Sequence, residues 1–143
     1  MIYLDNAANT PVHPKVLKVM LPYLEKQYGN PSGIYEFAEK SKDVIDGVRE
    51  IIAASINAKP EEIYFTSGGT ESDNWALVGM AEALKDKGRH IITTSVEHHA
   101  VINTCEYLKQ RGFDITYLDV GSDGIINPKQ LIKSIRKDTI LIS

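Results

Sequence analysis

From Glu62 to the end of the sequence, short β-type runs alternate with stretches of helical periodicity. Ile63–Ser67, His90–Ser95, Asp114–Val120 and Thr139–Ile142 read as strands, and Glu71–Lys87, His98–Gln110 and Pro128–Arg136 read as helices between them. Such alternation predicts a parallel sheet flanked by helices, a three-layer α/β/α arrangement. Right-handed crossovers then bring the carboxyl ends of the strands, and any ligand, to one edge. The helices carry apolar stripes at the right spacing: Leu77, Met80, Ala81 and Leu84 on the first, Val101, Ile102, Cys105 and Leu108 on the second. Asn127-Pro128-Lys129-Gln130 opens the third, with a capping asparagine, a helix-first proline and a capping-box glutamine.

The first sixty residues have a different texture. An irregular segment over residues 1–13 precedes a helix that starts near Pro14 and repeats Val16, Leu17, Met20, Leu21 and Leu24. Pro22 falls inside that pattern and predicts a kink or a break. His13 precedes the helix-first proline. Gly29-Asn30-Pro31-Ser32-Gly33 is a dense turn signal, after which Val44, Ile45, Val48, Ile51 and Ile52 mark one face of a long helix. Thr139–Ile142 leaves an open parallel edge, and the Asp5–Pro11 segment has no evident partner. The sequence therefore reads better as the front of a longer α/β protein than as a complete one. Cut from such a protein, it is expected to be marginally stable or to aggregate, because apolar surface loses its cover.

Composition closes off several function classes. A formal net charge of −3, with no concentration of Lys and Arg, gives no footprint for nucleic acid. No apolar run approaches the roughly 20 residues of a membrane span. The start, Met1-Ile2-Tyr3-Leu4-Asp5, is no signal peptide, and a lone cysteine fits a reducing compartment. A cytoplasmic location is the expectation.

Phe65-Thr66-Ser67-Gly68-Gly69-Thr70-Glu71 joins a strand run to a helix through two glycines. Strand, glycine turn and helix gather unpaired N–H groups and a positive dipole end, an arrangement that binds phosphate. The stretch is neither a P-loop nor G-x-G-x-x-G, so it indicates a phosphate-bearing ligand rather than an NTP or dinucleotide. A plainer reading also fits, with Thr70 capping the helix and Asp73 completing a capping box.

Two histidines, His98 and His99, stand where a strand gives way to a helix, and from the residues alone either reads as a helix-start residue bonded to backbone. Adjacent helical residues diverge by about 100°, whereas a zinc pair on one helix needs positions four apart. Cys105 shares a face with His98, but no third ligand is evident, and the cysteine sits on an apolar stripe. It reads as a core residue.

Four ordered motifs now matter together. They are Tyr3-Leu4-Asp5-Asn6-Ala7-Ala8-Asn9-Thr10-Pro11, Tyr28-Gly29-Asn30-Pro31-Ser32, Phe65 through Asn74, and Glu97-His98-His99-Ala100-Val101. In this order and spacing they closely resemble the N-terminal part of the cysteine desulfurases, the NifS/IscS-like branch of the class V aminotransferases. The resemblance covers essentially all 143 residues. It implies a pyridoxal 5'-phosphate (PLP) enzyme of the aspartate-aminotransferase fold type, with residues 14–143 as the N-terminal part of its large PLP-binding domain. The implied reaction takes L-cysteine to L-alanine and passes sulfur as a persulfide toward iron–sulfur cluster or thio-cofactor assembly, through an acceptor or scaffold protein. The full-length family protein is a homodimer.

Carried across residue by residue, the resemblance puts Gly69 and Thr70 at the PLP phosphate. His98 then stacks on the pyridine ring and takes part in proton transfer, roles that suit a flat imidazole titrating near neutrality. The glycines let backbone approach the phosphate, and Glu71 is expected to point away from it. His99 has no counterpart and reads as a surface residue or one that backs the site. The family's Schiff-base lysine follows a Ser-x-His motif that does not occur here, and its persulfide cysteine is not Cys105. The aspartate that pairs with the pyridine nitrogen and the arginine that holds the substrate carboxylate are absent as well. These 143 residues are therefore expected to supply half a site and to be inactive alone. Ser32-Gly33-Ile34-Tyr35 also departs from the Ser-Ser-x-His of many relatives. Two alternatives remain: another class V enzyme, such as a selenocysteine lyase or a transaminase, and a non-catalytic α/β binding module.

Overall fold

The computed structural model describes residues 2–143, which divide into two compact units, one running through Tyr64 and the other Phe65–Ser143. The first holds helix α1, Pro14–Glu25, helix α2, Glu36–Ser55, and a short 3₁₀ turn, Pro60–Glu62. Pro14 takes the first helical position of α1, and His13 caps it, its Nδ1 accepting from the Lys15 N–H at 3.2 Å. The break expected at Pro22 does not occur. The proline removes one hydrogen bond but has a helical φ, and Lys26 N–H closes the last turn on Pro22 O at 2.9 Å. No residue of α1 is buried, so water can take the carbonyl that the proline leaves without a donor.

The second unit contains helix α3, Gly69–Leu84, strand β1, His90–Thr94, helix α4, His99–Gln110, strand β2, Asp114–Leu118, helix α5, Pro128–Ser134, and strand β3, Thr139–Ile142. The strands form one parallel sheet in the order β2-β1-β3. This is the α/β class and the parallel pairing that the alternation predicts. In the central strand, His90, Ile91, Ile92 and Thr93 are all fully buried, as expected where both faces are covered. Asn127 caps α5 as read, its Oδ1 accepting from the Lys129 N–H at 3.0 Å.

The apolar stripes of α3 and α4 meet over the sheet. Leu77 and Ala81 pack with Val101, Cys105 and Leu108 around Ile91 and Phe113, with Ile115, Tyr117, Ile140 and Leu141 at the margin. Met80 stays exposed, and Leu84 is half-buried. Close approach fixes the turn from α3 into β1: a Cβ on Gly88 would collide with the Asp138 backbone, so only glycine fits there.

Ile63–Ser67, read as a strand, enters no ladder. Ile63 O instead accepts from Arg49 Nε at 3.2 Å, and Thr66 Oγ1 pairs with Ser72 Oγ at 2.7 Å. A strand is a pairing, and β propensity in a short run cannot supply the partner.

Candidate functional site

The site lies beyond the carboxyl end of β1, where the N-termini of α3 and α4 come together. Helix α3 begins one residue after Gly68, two residues earlier than its periodicity suggests. Gly68 is the N-cap and has no side chain, so no side-chain cap serves the Gly69, Thr70 and Glu71 amides. Thr70 is thus the second helical residue, and the plainer reading of Thr70 as the cap is not what the chain adopts. The glycines, however, are not forced by the fold. Gly68 has an extended backbone at φ 163°, and a Cβ at either glycine would meet no atom within 4 Å. What they leave is open space beside the uncapped helix start.

Glu71 is turned back onto the preceding turn. Its Oε2 accepts from Ser67 N and Ser67 Oγ, each at 2.6 Å. The Ser67 hydroxyl and then the Ser67 amide hold this carboxyl below its ordinary range. A carboxylate bonded there is occupied, which relieves the conflict between Glu71 and an anion at the same helix end.

At the other pole, His98 is the N-cap of α4. Its Nδ1 accepts from the Ala100 N–H at 3.1 Å, so the neutral ring carries its proton on Nε2. The turn that delivers it from β1 is tied by Thr94 Oγ1 donating to Glu97 Oε1 at 3.0 Å. Thr70 and His98 line one concavity of about 560 Å³. Gly69, the residue before Thr70, is not among the residues that line it.

Several lining residues carry no signal in the sequence. Asn74, Asn103, Thr104 and Tyr107 border the concavity, and so does His99, which reads from sequence as a surface residue or one that backs the site. Asn103 and Tyr107 lie four apart on α4, and Asn74 lies four after Thr70 on α3. Helical spacing from Thr70, and from His99 for Asn103 and Tyr107, is the clue that could have found them. Cys105 is elsewhere, fully buried in the core, where burial pushes its thiol up to about 11. It is a packing residue, as its stripe predicts.

The residues fit a phosphate-bearing planar ligand. An uncapped start of a 16-residue helix with a threonine hydroxyl suits a dianion. A histidine ring on the same concavity suits the flat group attached to it.

A parallel α/β unit with its concavity at the carboxyl end of the central strand is a ligand-binding arrangement of the α/β enzymes. Comparison with known proteins narrows this. The Aminotransferase class-V family matches residues 2–143, and the chain belongs to that family. It is 54% identical over 142 residues to a cysteine desulfurase IscS of Methanosarcina thermophila, covering 99% of this chain and 35% of that protein. A putative cysteine desulfurase IscS 1 of Bacillus subtilis is 53% identical, with 38% of its length covered. Among solved structures, a NifS-like protein superposes with a TM-score of 0.93 at 38% identity, over 99% of this chain and 39% of that one. A structure described as SspA in complex with cysteine gives 0.92 at 43% identity, over 99% of this chain and 41% of that one. The chain thus spans little more than a third of the length of these relatives.

Proposed function

We propose that this chain forms the phosphate-binding and ring-stacking part of a PLP-dependent cysteine desulfurase. Residues 14–143 are then the front of the large domain, with 1–13 as a leading segment. The observation that carries the reading is the presence of Thr70, at the uncapped start of α3, and His98, at the start of α4, on one concavity.

In this reading the amides of the first α3 turn, from Gly69 onward, and the Thr70 hydroxyl hold the cofactor phosphate. The His98 imidazole packs against the pyridine ring. Bound PLP supplies an electron-withdrawing ring that weakens bonds at the substrate carbon next to the carboxylate. The Ala100 amide occupies Nδ1 of His98, so Nε2 is the atom left to hold or release a proton toward substrate. The substrate is L-cysteine, the products are L-alanine and a protein-bound persulfide sulfur, and an acceptor or scaffold protein takes that sulfur for iron–sulfur or thio-cofactor assembly. Neither a Ser-x-His-Lys lysine nor an accessible cysteine occurs in these residues, and in this reading the covalent partners come from the rest of a protein as long as the relatives, placed in the cytoplasm as a homodimer. A transaminase or selenocysteine lyase would use the same cradle and differ in residues beyond those seen here.

The test is made on the full-length protein, following PLP binding by absorbance and, with a dithiol present to reduce the persulfide, alanine and sulfide release from L-cysteine. Thr70→Ala should weaken PLP binding, in competition with inorganic phosphate. His98→Ala should lower turnover by about 10²–10⁴-fold, the range for a general acid–base group. Pyruvate in place of alanine, no alanine from L-cysteine at all, or wild-type PLP affinity in both variants would refute the assignment.

A further inference from the structure

Thr70 and His98 lie on different helices, and nothing covalent fixes the distance between them. A continuous run of hydrogen bonds does link them. Asn74 Nδ2 donates to Thr70 O at 2.7 Å within α3. Thr104 Oγ1, on α4, lies 2.6 Å from Asn74 Oδ1 and 2.7 Å from Ala100 O, sharing one proton between them. Ala100 N–H in turn donates to His98 Nδ1 at 3.1 Å. The orientation of the Asn74 amide is forced. Turned over, it would set its oxygen against the Thr70 carbonyl, with no proton between them.

The placement of this run is specific. The apolar contact of α3 with α4 through Leu77, Ala81, Cys105 and Leu108 lies farther along both helices, with Val101 packed one turn before Thr104. At the open end, where Thr70 and His98 stand, the Asn74–Thr104 bond joins one helix to the other. Apolar packing resists separation but is tolerant of sliding, because it is non-directional. A short hydrogen bond between a buried hydroxyl and an amide also fixes register and rotation. The Thr104 hydroxyl is buried and Asn74 half-buried, which shelters the bond from competing water.

We propose that Asn74 and Thr104 are positioning residues that set the spacing of the phosphate-binding and ring-stacking poles, an inference that rests on the functional reading above. Thr104 acts on both poles. It braces α3 through Asn74, and through Ala100 it braces the first turn of α4, whose amide orients the His98 ring. Neither residue needs to touch the reacting atoms.

The experiment uses the full-length protein with two readouts. PLP dissociation constants are measured for the wild type, Thr104→Val, Thr104→Ser and Asn74→Ala, with Ile91→Val as a core-softening control away from the run. Separately, ¹⁵N NMR follows the His98 ring nitrogens and the Ala100 amide without PLP. Thr104→Val, which keeps the shape and removes the hydroxyl, should weaken PLP binding about tenfold, the equivalent of one lost hydrogen bond. It should also broaden or shift the His98 and Ala100 signals. Thr104→Ser should stay within about twofold of wild type, and the double variant with Asn74→Ala should be little worse than either single change.

Wild-type affinity in Thr104→Val overturns the proposal. So does a Thr104→Ser variant as weak as Thr104→Val, or an equal loss in Ile91→Val. If the wild type binds no PLP, the functional reading fails and the link is judged on the NMR alone. Unchanged His98 and Ala100 signals in Thr104→Val then sink it, and altered signals sustain it.

Discussion

Cys105 is the only thiol in the chain, and in a family read as moving sulfur it invites a chemical role. Its surroundings deny one. It is fully buried among Leu77, Ala81, Val101 and Leu108, and burial, with smaller contributions from Glu106 and Glu97, raises its thiol to about 11. A nucleophilic cysteine needs thiolate character and access, and Cys105 has neither. The native protein should therefore leave Cys105 unmodified by a chromogenic disulfide reagent at pH 8 on a timescale of hours, with rapid reaction after denaturation. Fast labelling in the native state would return Cys105 to consideration as a sulfur carrier.

Strand β1 shows how one element can carry both stability and a pH response. His90 is fully buried at its start, with Nδ1 2.7 Å from Thr139 Oγ1 on β3 and Nε2 2.8 Å from Thr116 Oγ1 on β2. It joins all three strands through one ring. Burial holds its pKa below the ordinary value, helped by Arg136 and opposed by Asp114 and Asp138. The unfolded chain, with a histidine near 6.5, thus binds the proton more readily than the folded one. Stability from this group is full above about pH 6.5 and is lost as pH falls from there through the lowered folded value. Denaturant midpoints measured from pH 7.5 down to 5 should fall less steeply in His90→Asn than in wild type. Parallel slopes would mean that another group governs the acid limb.

Over the whole molecule, apolar side chains are distributed unevenly. The second unit has a defined core, whereas the periodic faces of α1 and α2 stay largely open: Leu24 and Ile51 are each 70% exposed. Val16, Leu17, Met20 and Leu21 are exposed as well. Faces this apolar tend to bury themselves against something. The 143-residue chain in isolation should self-associate at tens of micromolar, with weight-average mass rising with concentration in sedimentation equilibrium. A monomer with a sharp, reversible unfolding transition would contradict this. No described helix is long and apolar enough to cross a membrane, so the apolar faces of α1 and α2 are not spans.

The sequence alone determined the α/β alternation, the three paired strands, the cap at Asn127, and the buried place of Cys105. These rest on local periodicity and on side chains that bond within two or three residues, information that does not depend on distant partners. Thr70 and His98 are singled out by the resemblance of the ordered motifs, since on their own a glycine turn and a histidine at strand-to-helix junctions fit plain capping equally well. Tertiary structure decided the rest. It left Ile63–Ser67 without a ladder, since pairing needs a neighbour that propensity cannot provide. It turned Glu71 back onto Ser67 and made Gly68 the cap. It also brought Asn74 to Thr104 across thirty residues, a contact set by how α3 and α4 cross over the sheet and carried by no local pattern.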